Sequence, residues 1–113
     1  MHEVSIARAV VRTVMDAVPD ARTQVTQVRV RMGPLSGVTP EGLLSAYEVV
    51  TDGTALAGAA LTVEQAPLVI RCPQCGEQEL GGVLDLVCPL CGQPCGDVVG
   101  GTELEVVEVV LEQ

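Results

Sequence analysis

The chain has 113 residues, is 48% hydrophobic, and carries fifteen acids against six Arg and no Lys, for a net charge of −9. That length fits one domain with at most a small appendage, and the apolar fraction excludes a disordered chain. With no Trp, no Phe and a single Tyr, the core must be aliphatic, built largely on 21 Val, and both the acidity and the missing stacking platforms argue against nucleic acid and anionic membranes as partners.

Residues 3–18 read as an amphipathic helix, with Ala7, Val10, Val11, Val14 and Val18 at helical spacing and Pro19-Asp20 as its stop. Val25–Met32 alternates Val28, Val30 and Met32 with Gln27, Arg29 and Arg31, which predicts a half-buried strand with one basic face. Residues 33–37 form a loop. A second helix opens at Thr39 or Pro40: Thr can cap, Pro suits the first helical position, and Glu41 favours the positive end. Leu43, Leu44, Ala46, Tyr47 and Val50 supply its apolar side, and Asp52-Gly53 closes it.

Leu61–Ala66 is a further strand, residues 72–95 hold the cysteines, and Glu103–Leu111 is the last strand. In that last strand Leu104 and Val106 share one face and Val107, Val109 and Leu111 another, so a bulge is expected at Val106-Val107. This order predicts an α+β fold: two helices packed on a three-stranded sheet, with an inserted zinc-ribbon domain. The domains are expected at 1–67 with 99–113, and at 68–98. The two strands that flank the insert are expected to pair antiparallel at its base.

No apolar run approaches the roughly 20 residues of a membrane helix, and Met1-His2-Glu3 lacks the basic start and apolar stretch of a signal peptide. A cytoplasmic location is therefore expected. Reduced cysteines there point to metal binding rather than disulfides.

Cys72-Pro73-Gln74-Cys75-Gly76 and Cys88-Pro89-Leu90-Cys91-Gly92 are twin C-P-x-C-G knuckles. Each turn aims two thiolates at one cation; Pro fixes the turn and Gly permits a positive φ just past the second thiol. Two such turns complete a tetrahedral sulfur site suited to structural zinc. Iron in the same geometry, or four packed thiols without metal, are the rival readings. Four Cys ligands close the shell and leave no position for catalytic water. With one His and no evident nucleophile–base pair, the chain does not read as an enzyme. Cys95 reads as a spare small hydrophobe rather than a fifth ligand.

His2 is the only histidine and sits beside the chain's amine. The Met1 amine, the His2 backbone nitrogen and the His2 imidazole can form fused chelate rings, and planar nitrogen donors suit Ni(II) or Cu(II). Glu3 places a carboxylate next door. From spacing alone, a solvated terminus is the commoner outcome for such a residue.

The Met1-His2-Glu3 start, Val28–Gly33 followed by Leu35-Ser36-Gly37-Val38, Ala46-Tyr47-Glu48, the twin knuckles and Gly101-Thr102-Glu103-Leu104 together resemble the HypA/HybF hydrogenase maturation proteins, end to end. The resemblance implies a nickel metallochaperone with a nickel-binding α/β domain and a zinc-binding domain. It implies a nickel site on Met1, His2 and Glu3, zinc on Cys72, Cys75, Cys88 and Cys91, and delivery of Ni(II) to a [NiFe]-hydrogenase large-subunit precursor with a partner GTPase. Some relatives serve urease. One position departs from the pattern: where some relatives have an acid before the second helix, this chain has Thr39, with Glu41 two residues on. A zinc-ribbon module for protein–protein contacts, without nickel transfer, is the competing function.

Overall fold

A computed structural model describes residues 2–18, 24–80 and 86–112, with the His2 side chain outside that set. The elements in chain order are α1 (His2–Ala17), β1 (Val25–Met32), α2 (Pro40–Thr51), β2 (Ala60–Gln65), β3 (Leu68–Cys72), β4 (Gly76–Leu80), β5 (Val98–Gly100) and β6 (Leu104–Leu111). They form two three-stranded sheets, ordered β2-β1-β6 and β4-β3-β5. Two compact units result: Met1–Arg31 with Val38–Glu64 and Glu105–Gln113, and Met32–Gly37 with Gln65–Leu104.

The first unit is aliphatic, as the composition requires. Ala7, Val10 and Val14 of α1 are buried, with Leu43, Ala46 and Tyr47 of α2 and Val25, Val28 and Val30 of β1. Helix α2 begins as its sequence dictates. The Thr39 hydroxyl accepts a hydrogen bond from the Gly42 N–H at 3.0 Å, and Pro40 occupies the first turn. At its other end Gly53 takes φ +77°, a left-handed conformation that glycine adopts without a Cβ penalty. Leu44 departs from the expected apolar face and is exposed. Leu56 is a core residue instead, fully buried on a compact turn that the Thr54 side chain organises. The Thr54 hydroxyl donates to the Thr51 carbonyl at 2.7 Å and accepts from the Leu56 N–H at 3.2 Å.

The expected antiparallel pairing of the two strands that flank the insert does not occur, because β1 lies between them. Its sequence explains the central place. One face of β1 is buried, and its basic face is matched by acids from both neighbours: Arg29 bonds Glu108 of β6 at 2.8 Å, and Arg31 bonds Glu64 of β2 at 2.7 Å. Gln27 to Thr62 and Arg31 to Glu64 advance together along β1 and β2, so these strands run parallel and need the crossover that α2 supplies.

The alternation of β6 does slip, one residue later than expected. Val107 and Glu108 are both exposed, and Leu104, Val106, Val109 and Leu111 are half-buried. The expected helix stop at Pro19-Asp20 lies outside the described residues.

The second unit extends beyond 68–98. Residues 32–37 join it through the Ala66 N–H to the Met32 carbonyl at 2.8 Å, Gly33 N–H to Glu103 carbonyl at 2.9 Å, and Leu35 N–H to Gly101 carbonyl at 2.7 Å. A Cβ on Gly33 would collide with the Gly101 carbonyl, so only glycine permits this approach. Strands β3, β4 and β5 went unrecognised in the sequence. In β3, Leu68, Ile70 and Cys72 alternate inward, and β4 pairs with it antiparallel from Leu68↔Leu80 to Cys72↔Gly76.

Candidate metal centre

The first knuckle is the turn of the β3–β4 hairpin. Cys72 ends β3, Cys75 ends the turn, and Gly76 begins β4 with φ +79°. The second knuckle is closed differently. The Cys88 N–H donates to the Gln93 carbonyl at 3.0 Å, the Gly92 N–H to the Cys88 carbonyl at 2.9 Å, and Gly92 has φ +78°. A bridge between Val87 and Pro94, with the Cys95 N–H on the Leu86 carbonyl at 2.8 Å, holds the base of this loop.

The two turns bring the sulfurs of Cys72, Cys75, Cys88 and Cys91 within 4.8 Å of one another. The Cys72 and Cys91 sulfurs are 3.6 Å apart. A tetrahedral site with Zn–S bonds of about 2.3 Å has sulfur–sulfur edges of about 3.8 Å, so the cluster has the dimensions of a four-thiolate metal site. Cys72 and Cys88 are buried, Cys75 is half-buried and Cys91 is exposed. Cys95 is buried in the same small core, with Ile70, Cys72 and Cys88 around it, and it is not in the cluster of four.

The thiols of the cluster are poised unequally. Burial raises Cys72, but the backbone N–H groups of Cys75 and Gln74 and the Gln93 side-chain amide outweigh it and bring the thiol down to about 6. Burial and the neighbouring sulfurs of Cys88, Cys91 and Cys72 push Cys75 up to about 12. Four thiolates this close repel one another, and a divalent cation between them removes that cost.

Of the amino-terminal residues, Met1 and the His2 side chain lie outside the described residues. Glu3 does not: its side chain lies against Gly42. A Cβ on Gly42 would sit 3.1 Å from Glu3 Cγ and 3.0 Å from the Thr39 hydroxyl. The start of α1 therefore packs against the start of α2. The Thr39 oxygen caps the helix, and Glu41 is exposed. Gly42 went unremarked in the sequence, where a helical glycine showed only as a cost in propensity. Gln93 was overlooked too. Its side-chain amide donates to the Cys72 sulfur at 3.3 Å, a contact that no spacing rule reveals.

Comparison with known proteins agrees with this picture. Residues 1–111 match the family model described as hydrogenase/urease nickel incorporation, metallochaperone, HypA. The hydrogenase maturation factor HypA of Chloroflexus aurantiacus is 40% identical over 109 residues, covering 95% of this chain and 96% of that one. The factor of the same name from Deinococcus radiodurans is 42% identical over 106 residues, covering 93% and 88%. The fold is similar to the solution structure of the nickel metallochaperone HypA from Helicobacter pylori, with a TM-score of 0.66 over 96% of each chain at 18% identity. A second HypA solution structure gives a TM-score of 0.68 at 17% identity, covering 99% and 97%.

Proposed function

The chain belongs to the HypA family of nickel-incorporation metallochaperones for hydrogenase maturation, a family of metal carriers and not of enzymes, and from that we propose that it binds Ni(II) at its amino terminus and hands it on in the cytoplasm. In this reading the Met1 amine, the His2 backbone nitrogen and the His2 imidazole hold the cargo, with Glu3 beside them. The Cys72, Cys75, Cys88 and Cys91 thiolates hold a resident zinc that shapes the second unit. Recipients are a [NiFe]-hydrogenase large-subunit precursor and a maturation GTPase.

The observation that best supports this is the full-length family match over a chain that keeps both the Met1-His2-Glu3 start and the four-sulfur cluster. The chemistry divides sensibly between the two groups of donors. Thiolates on two rigid turns suit a metal that stays. Nitrogen donors at a chain end compete with protons and suit a metal that leaves. The Glu3 stem against Gly42 anchors the first turn of α1, so the donors start from a fixed base.

Nickel titration of three proteins tests the division. The native chain is expected to take one Ni(II) besides its zinc. His2→Ala should lose specific nickel binding and keep zinc, and Cys88→Ser should lose zinc and keep nickel affinity. Nickel binding that survives His2→Ala and vanishes in Cys88→Ser would place the cargo in the cysteine cluster and overturn the proposal.

A further inference from the structure

We propose that Gln93 is a positioning residue for the four-thiolate centre: its side-chain amide, donated to the Cys72 sulfur, holds the resident metal against release while nickel is exchanged elsewhere. The inference rests on the reading of the cysteine cluster as a metal site.

The geometry singles this residue out. Gln93 Nε2 lies 3.3 Å from the Cys72 sulfur, and Cys72 is among the fully buried side chains. Cys72 is thus one of two ligands, with Cys88, that water cannot reach to solvate, and a protein donor must replace that water. The Gln93 backbone carbonyl meanwhile accepts from the Cys88 N–H at 3.0 Å and from the Cys95 thiol at 3.5 Å. One residue so ties together both buried ligands and the spare thiol. Its backbone contacts do not depend on the side chain, so substitution of the amide leaves the turn's own hydrogen bonds available.

The twin knuckles differ at this point. After Gly76 the first has Glu77, a carboxylate that cannot donate and that pairs with Arg71 at 3.2 Å. After Gly92 the second has Gln93. The matching sequences therefore hide an asymmetric centre in which a side-chain donor comes from the second knuckle and reaches across to the first.

The charge arithmetic gives the contact its purpose. A divalent ion with four thiolates carries a net −2, inside a chain that is already at −9. An N–H donor to sulfur takes up part of that negative charge and lowers the thiolate's tendency to leave with a proton. Partners of this kind commonly change metal retention by roughly tenfold or more.

The test compares the native chain with Gln93→Met, which keeps length and removes the donor, and Gln93→Lys, which restores one. Two readouts are used: the rate of zinc transfer to the chromogenic chelator 4-(2-pyridylazo)resorcinol, and the thiolate-to-metal charge-transfer band after Co(II) substitution. Gln93→Met is expected to release zinc roughly tenfold faster and to shift the cobalt band to lower energy, because an unbonded thiolate is a better donor. Gln93→Lys should recover much of both. A native protein that loads with metal while Gln93→Met matches it in rate and band position overturns the role of Gln93 alone. Faster release with no band shift, or no recovery in Gln93→Lys, makes the side chain mere packing and also overturns it. A native protein that binds no metal in the cluster overturns the cluster reading first, and this proposal with it.

Discussion

The two units of this chain solve the problem of a small core in opposite ways. The first buries hydrocarbon from both helices, the central strand and a turn: Ala7, Val10 and Val14 from α1, Leu43 and Ala46 from α2, Val25, Val28 and Val30 from β1, and Leu56 from the turn after α2. In the second unit, the buried cluster beside the knuckles has one aliphatic residue, Ile70, among three thiols, Cys72, Cys88 and Cys95, with half-buried Cys75, Leu80, Leu86 and Val98 packed against it. Such a core is too poor in apolar area to hold short strands together unaided. In the second unit, chemistry that binds a cation stands where the first has packing. Cys72, Cys88 and Cys95 serve as core side chains there as well as thiols.

If that contrast is right, removing metal and removing hydrocarbon should damage different halves. The largest effect is expected from Cys88→Ser, which deletes a buried ligand. A structural zinc supplies folding free energy on the order of 10 kcal/mol in small metal-dependent domains. Metal content should therefore fall from about one per chain to near zero, with loss of hydrogen-exchange protection over β3 and β4 and persistence of helical circular dichroism from α1 and α2. Cys95→Ser should keep its metal. Next in size is Leu56→Ala, which opens a cavity in the first unit and should cost about 2–5 kcal/mol in denaturant unfolding with zinc content unchanged. Equal loss of zinc in Leu56→Ala and Cys88→Ser would dissolve the distinction.

A finer probe is Gly42→Ala. A new Cβ there meets the Thr39 hydroxyl at 3.0 Å and Glu3 Cγ at 3.1 Å. It gains up to about 1 kcal/mol of helix propensity while pressing on the first turn of α1. Nickel affinity is expected to fall by several-fold, on the order of 1 kcal/mol, at nearly constant melting temperature, as calorimetric titration would show. Smallest is Thr39→Ala, which deletes the cap of α2 and should cost about 1 kcal/mol of unfolding free energy, with zinc untouched.

Much of the first unit was legible because its signals are local. Helical spacing placed the faces of α1 and α2, and Thr39-Pro40 announced a capped start. Strand order was not legible, because it depends on which neighbours satisfy Arg29 and Arg31, and those partners, Glu108 and Glu64, lie 79 and 33 residues away. Leu56 was hidden in a run of Thr, Ala and Gly with no period to expose it. In the second unit the C-P-x-C-G repeats placed the two turns at once, since two ligands with two residues between them and a glycine directly after leave few alternatives. The strands around them are short, and β4, which reads Gly-Glu-Gln-Glu-Leu, is too polar to announce itself. Nor did the repeat reveal that Gln93 in one knuckle and Glu77 in the other behave differently.

The proposed division of labour predicts an order of metal loss on acidification. In that proposal nickel held by an amine and an imidazole competes with protons whose reference pKa values are about 7.7–8.0 and about 6.5. Both donors must be neutral to bind, so affinity is present above those values and falls as pH drops through them. The metal-free thiols are split, with Cys72 brought down to about 6 and Cys75 pushed up to about 12, so retention rests on the cation, which holds all four thiolates against protons once bound. Nickel should leave first, zinc later.

The most direct test of a cargo site separate from the cysteine cluster is calorimetric Ni(II) titration of the native chain beside one extended by a single Gly before Met1, both loaded with zinc. The extension turns the Met1 amine into a peptide nitrogen and breaks the chelate while leaving every side chain in place. Loss of the tight nickel event in the extended protein, with zinc content unchanged, is expected. Unchanged nickel affinity and stoichiometry would contradict a site built on the chain's first amine.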